Sequence, residues 1–290
     1  MHTASFRDRL ERTASANASW LCIGLDPDPA LVSPHLKSDD ASDWVPRFLH
    51  GIVDATRDLV CCYKPNIAFF EALGVPGQRA LRTLLQLIPA DIPVLIDAKR
   101  GDTPQTMQAY ARAIFDDLDV DAVTVNPYLG GDSLEPFFRY PDRGVFVLCK
   151  TSNPGAVEIQ DLVVDGAEPL FLHIARRAVT WDQHGTLGLV VGATYPADVA
   201  AVRQVAPRVP ILLPGVGAQA GDLERSVQAA IGAAGGGAIV NASRSILYAS
   251  AGSDWQAAAR AEAERLRAAI NAAWSRSGPG SGTPSATAAR

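Results

Sequence analysis

The chain has 290 residues, 48% of them hydrophobic and 20% charged, with a formal net charge of -5. That length suits one large α/β domain with a full core. The acidic balance argues against nucleic acid or a membrane surface as partner and leaves a small molecule. The opening segment, Met1 to Trp20, mixes acids with bases and has no apolar h-region, and no run approaches the roughly 18 apolar residues of a membrane helix. A cytoplasmic protein is expected. Cys22, Cys61, Cys62 and Cys149 fall in apolar strand-like runs without zinc-type spacing, so they read as reduced core residues.

Phe6 and Leu10, one turn apart among polar residues, predict a helix over residues 6–16. WLCIGL predicts a first strand, Trp20 to Leu25, stopped by Asp26 and two prolines. A loop is expected from Asp28 to Asp43, then a helix from Trp44 to Thr56 and a second strand from Leu59 that ends in Lys64, Pro65 and Asn66. A helix at Gln78 to Leu87 leads to VLIDAK, the third strand. Thr106 to Asp117 reads as a helix, DAVTVNPY as strand four and GVFVLCKTSNPG as strand five. After a second loop at 155–168 come a helix at 169–182, LGLVVGATYP, a helix at 196–206, ILLPGVGAQAGD, a helix at 222–231 and GAIVNASRS. The helix from Asp254 to Trp274 completes a domain spanning residues 1–274. Residues 275–290 are low-complexity Gly/Ser/Pro/Ala that buries no apolar surface, so a disordered tail is expected.

Eight apolar strands alternating with amphipathic helices predict an α/β fold of the (β/α)8 TIM-barrel type. A doubly wound open sheet is the alternative that periodicity leaves open. Either fold gathers its active residues at the C-terminal edge of the strands. There, D-x-K-x-x-D sets Asp97 and Lys99 two apart, hence on one face of an extended strand. Asp102 follows a glycine and either approaches the same point or reaches a neighbour. Lys64, ending the adjacent strand, would complete an alternating-charge array. The competing reading is an ion-pair network on the barrel rim.

Across the mouth, Pro214-Gly215-Val216-Gly217 and Asn241 to Ser245 occupy the two loops that often form a phosphate cup in barrels, with glycine amides, Ser243 and the Arg244 fork facing the anion. Taken singly, each is equally a structural turn. Thr151, Ser152 and Asn153 suit a polar ring edge or a turn held by its own side chains. No histidine sits at a strand end, so neither a metal site nor a histidine base is expected, and no cofactor fingerprint is present.

With DAKRGDTPQT, YKPNIAFFE, TVNPYLGGDSL, TSNPGA, PGVGAQAGD and NASRSI, the chain resembles the orotidine 5'-phosphate decarboxylase family, in its longer bacterial branch, from about Trp20 to Tyr248. The resemblance implies cofactor-independent removal of CO2 from orotidine 5'-phosphate in pyrimidine (UMP) synthesis. It further implies Lys99 as proton donor, Asp97 against the substrate carboxylate and Lys64 as a bridging ammonium near the ribose. Asp26 matches the ribose-hydroxyl ligand, Ser152 the residue on the pyrimidine edge and Arg244 the phosphate-binding arginine. Asp102 and Thr106 match residues lent to a partner subunit, which implies a homodimer with shared sites. The rivals are a metal-dependent sugar-phosphate lyase with the same D-x-K-x-x-D spacing and a silent nucleotide-binding protein.

Overall fold

The computed structural model describes residues 4–164, 166–215, 220–231 and 237–276. The first helix, α1 (Phe6–Ala16), begins at Ser5. The Ser5 hydroxyl accepts the Asp8 N–H while the Asp8 carboxylate accepts the Ser5 N–H, a reciprocal cap for two otherwise unpaired amides. α1 lies across the N-terminal ends of the strands, where Arg9 donates to the Ala90 carbonyl and Thr13 to that of Asp91. Phe6 meets Phe146 edge-on at 5.7 Å.

The strands in chain order are β1 (Leu21–Gly24), β2 (Cys62–Lys64), β3 (Leu95–Arg100), β4 (Ala122–Val125), β5 (Gly144–Lys150), β6 (Val163–Val164), β7 (Glu168–Pro169), β8 (Leu187–Val191), β9 (Ile211–Leu213) and β10 (Ala238–Ala242). All but β6 and β7 join one sheet in the order β2-β1-β10-β9-β8-β5-β4-β3, and its described pairings are parallel. The two ends meet through parallel bridges Tyr63 to Val94 and Asn66 to Asp97. There the Tyr63 N–H donates to Pro93 O at 3.0 Å and the Asp97 N–H to Pro65 O at 2.9 Å. The sheet therefore closes into a (β/α)8 barrel, and the open doubly wound alternative falls away. Its strands are buried nearly throughout, as a parallel sheet wrapped by helices demands.

The wrapping helices are α2 (Ala41–Thr56), α3 (Ile67–Glu71), α4 (Gly74–Leu87), α5 (Pro104–Ala111), α6 (Gly131–Phe138), α7 (Leu170–Trp181), α8 (Pro196–Val205), α9 (Ala220–Ile231), α10 (Arg244–Leu247) and α11 (Trp255–Ser275). α11 returns to the start of the barrel, where Trp274 stacks on Trp20 with ring centroids 5.1 Å apart. Such a pair is worth roughly 1 kcal/mol beyond its buried area. All four cysteines are free and buried, with Cys22 and Cys62 in register on neighbouring strands.

Several expectations change. Helices α3 and α6 escape a search for long apolar periods because they are short. The helix expected from Thr106 starts at Pro104, whose missing N–H costs nothing in the first turn, and its C-terminal part, Arg112–Asp117, is a π-helix. The 28–43 stretch is shorter as a loop, since Asp40 caps α2 by accepting the Ser42 N–H. The 155–168 stretch is folded: a 3-10 turn at Pro154–Glu158 precedes an antiparallel β6–β7 hairpin. Apart from its first two residues, the expected tail lies outside the described residues, as do Gly217, Gly235 and Gly236. No helix among the described residues is long and apolar enough to cross a membrane.

Candidate active site

The C-terminal end of β3 departs from regular strand geometry. Against β4, Ile96 pairs with Val123 but Arg100 pairs with Val125, so four residue steps on one strand face two on the other. Lys99 takes φ +46° within this irregularity, a left-handed conformation uncommon for any residue but glycine. The expectation that simple alternation sets Asp97 beside Lys99 is therefore corrected. The two do meet, but a bulge aims the lysine, as bulges often do beside active sites. Arg100 anchors the turn, donating to Glu71 at 2.8 Å and lying 4.8 Å over the Tyr110 ring.

Asp97 is the hub. Its Oδ2 accepts from Lys64 Nζ at 3.0 Å, and its Oδ1 accepts from Lys99 Nζ at 2.5 Å and from the Thr124 hydroxyl at 2.9 Å. Lys64 is 3% exposed and Asp97 8%, whereas the Lys99 side chain is 46% exposed and free to meet a ligand. Burial alone would raise the Asp97 carboxyl, but the charges of Lys64 and Lys99 outweigh it and hold the group well below the ordinary carboxylate range. Burial likewise opposes the Lys64 ammonium, yet Asp97 and Asp26 hold it above its usual value. Each charge is kept by its neighbours.

Asp26, just past β1, accepts the Asn66 N–H on Oδ1 at 3.1 Å. Its carbonyl accepts the Tyr248 hydroxyl at 2.7 Å, and that phenol oxygen accepts the Asp28 N–H at 2.7 Å. Burial pushes the Tyr248 phenol up to about 12, so it stays a neutral donor. On the opposite side, Gly215 follows β9 with φ +86°, and Ser243 and Arg244 follow β10. Arg244 is exposed, with no ion-pair partner among the described residues. Asp26, Lys64, Asp97, Gly215, Ser243 and Arg244 line one cleft of about 610 Å³, ample for a nucleotide-sized molecule. An anionic group at Arg244 and a ring at Asp97 would thus share a single continuous space.

Residues 19–261 match the sequence profile described as the Orotidine 5'-phosphate decarboxylase / HUMPS family. Similarity to proteins named orotidine 5'-phosphate decarboxylase is strong: 52% identity to that of Roseiflexus sp. (strain RS-1) over 93% of this chain and 98% of the relative. The protein of that name from Thermomicrobium roseum is 54% identical over 92% of this chain and 95% of its own. The chain belongs to the orotidine 5'-phosphate decarboxylase family. Among solved structures, Leishmania donovani OMP decarboxylase superposes with a TM-score of 0.81 at 41% identity, covering 93% of this chain and 98% of that one.

The remaining positions singled out in the sequence divide clearly. Ser152 borders the cleft: a Cβ placed on Gly215 would stand 3.3 Å from its Oγ. Lys99, Asp102 and Thr106 are not among the residues that line the cleft; Lys99 is tied to it through Asp97, whereas Asp102 accepts the N–H of its own neighbour Thr103 at 2.6 Å. Thr124, Tyr248 and Asn66 are the participants that sequence reasoning missed. A threonine inside TVNPY reads as an ordinary strand former, and its one distinguishing signal is its place on the strand beside DAKRGD.

Proposed function

We propose that the chain converts orotidine 5'-phosphate to uridine 5'-phosphate and CO2 with its own side chains as the catalytic groups, Lys99 protonating C6. One observation carries this reading: Lys64 and Asp97 line the same cleft as Gly215, Ser243 and Arg244, and Asp97 holds the Lys99 ammonium through its other oxygen. With phosphate at Arg244 and ribose at Asp26 and Lys64, the ring carboxylate lies against Asp97. The C6–carboxylate bond breaks, CO2 departs with no charge, and the bonding pair stays on C6. The fixed Lys99 ammonium stabilises that developing charge in the transition state and then gives C6 a proton, to be replenished from solvent. Repulsion from Asp97, held ionised by its two lysines, acts on the substrate carboxylate and disappears once CO2 leaves.

Asp102 and Thr106 serve the partner's cleft in a homodimer, which accords with their position outside the cleft of their own chain. Four buried free cysteines suit the reducing cytoplasm, where the pathway's nucleotides are made. The test is loss of the orotate chromophore from orotidine 5'-phosphate, followed before and after exhaustive chelation. Turnover that survives chelation and disappears in Lys99→Ala is expected. Turnover that needs a divalent metal would instead place the chain with sugar-phosphate lyases of similar spacing.

A further inference from the structure

The folded excursion between β5 and α7 is docked on the barrel rim by contacts that the decarboxylation chemistry does not use. Lys150, the last residue of β5, is 1% exposed. Its ammonium pairs with Asp161 of the excursion, lies 3.9 Å from Asp198 of α8, and sits between the Phe171 and Tyr195 rings at 5.3 and 5.4 Å. An ammonium so buried demands those partners, so the excursion is held to the strand end.

Gln160, immediately before Asp161, makes the contact that matters for the cleft. Its Oε1 accepts the Thr151 N–H at 2.8 Å and its Nε2 donates to Thr151 Oγ1 at 2.8 Å. Because a backbone N–H can only donate, the amide has one orientation here. The Thr151 hydroxyl, already accepting from Nε2, gives its own hydrogen to Asn153 Oδ1 at 2.6 Å. Gln160 is itself fixed through its backbone, donating to Ala156 O at 2.8 Å and accepting from Phe171 N at 3.0 Å. The polarity of the turn is thus set in one direction, from backbone through Gln160 and Thr151 to Asn153.

Ser152 is the residue inside that turn, and it is wedged between two other loops. A Cβ on Gly192 would come within 2.9 Å of the Ser152 nitrogen, and one on Gly215 within 3.3 Å of its Oγ. Two glycines therefore leave the space that Ser152 occupies.

We propose that Gln160 is a positioning residue for recognition of the pyrimidine ring, holding the Thr151–Ser152 turn so that Ser152 meets the ring edge. The inference rests on the reading of Ser152 as a ring contact given above. Gln160 touches no substrate and acts through the turn, so its loss weakens ligands that carry the ring and spares those that carry only the sugar phosphate.

The experiment measures binding of uridine 5'-phosphate and of ribose 5-phosphate, by calorimetry, to the full-length wild type and to Gln160→Ala, Gln160→Glu, Ser152→Ala and the Gln160→Ala/Ser152→Ala pair. Gln160→Ala is expected to weaken uridine 5'-phosphate roughly tenfold and ribose 5-phosphate less than about twofold, the scale of one lost hydrogen bond. Gln160→Glu keeps the acceptor for the Thr151 N–H but not the NH2 donor, and should lose roughly threefold. It carries the comparison if the alanine variant does not fold. The paired variant should bind little worse than the weaker single one, because both changes remove the same contact. Equal losses for both ligands, or none for either in the Gln160 variants while Ser152→Ala weakens uridine 5'-phosphate, would overturn the role of Gln160. No loss in Ser152→Ala would overturn the ring contact itself, and the inference with it.

Discussion

The Thr124 hydroxyl donates to Asp97 Oδ1 at 2.9 Å, and its direction is forced. The same oxygen accepts the Ala98 and Lys99 amides at 3.0 and 2.9 Å, which leaves its single hydrogen for the carboxylate. One buried threonine thereby fixes both the bulge that presents Lys99 and the carboxylate it pairs with. Thr124→Val, nearly isosteric, strands two amides and removes a donor. It should lower kcat by roughly tenfold to a hundredfold, the equivalent of one or two hydrogen bonds, with little change in KM. Thr124→Ser should recover most of the loss. Steady-state kinetics of the two variants checks this, and equal activity of Val and Thr would remove Thr124 from the machinery.

Lys64 and Asp97 are both buried and paired; Asp97 keeps Lys99 if Lys64 is lost, but removing Asp97 takes from the buried Lys64 its ion-pair partner. Asp97→Asn should destabilise the fold by about 3 kcal/mol in denaturant titrations. Adding Lys64→Met should return part of that, because the unpaired ammonium goes too. Strict additivity of the two changes would mean that the pair is not coupled.

The pH dependence follows from the depressed Asp97 carboxyl. Its folded value lies below its unfolded value of about 4, so its stabilising share is complete above that pH and is lost only as pH falls through the folded value. Between about pH 7 and pH 5, kcat should therefore stay flat as far as this array is concerned. KM should rise below about pH 6, where the substrate phosphate takes up its second proton. A kcat that falls tenfold per unit across this range would show that the array loses charge far earlier than its geometry implies.

Arg244 stands exposed at the cleft wall with no ion-pair partner among the described residues, and the proposed reading places the substrate phosphate there. Arg244→Ala should raise KM by roughly tenfold or more, the size of one lost charge-assisted contact. An unchanged KM would place the phosphate elsewhere.

On the proposed sharing of sites in a homodimer, Lys99→Ala and Asp102→Ala should each be nearly inactive when purified alone. Mixing them under conditions that allow subunit exchange should restore activity, because each mixed dimer then contains one cleft with both residues intact. Absence of any recovery would show that Asp102 serves its own chain or that the subunits do not share sites.

Much of this was legible in the residues. Apolar runs of strand length, each ending in a polar tip, carried the barrel and put Asp97, Lys64, Asp26 and Arg244 at one end of it. The manner in which Asp97 and Lys99 meet was not legible. Alternation predicts their common face, while the bulge that actually joins them depends on Thr124 and Arg100, whose partners lie 26 and 29 residues away in the chain. Gln160 was hidden for a related reason: in a stretch without helix or strand period it reads as a loop residue until the turn after Pro154–Glu158 brings it back onto Thr151. Asp102 and Thr106 mark another limit, since the spacing of one chain cannot tell a residue of its own cleft from one that would serve a second subunit.

The left-handed backbone of Lys99 has an evolutionary consequence. A side chain in that conformation costs roughly 1 kcal/mol that glycine escapes, so at position 99 the backbone taken alone favours glycine. Drift toward glycine is opposed by Asp97, whose buried charge rests in part on the Lys99 ammonium, so the strained lysine is retained by its ion pair as well as by selection on the product.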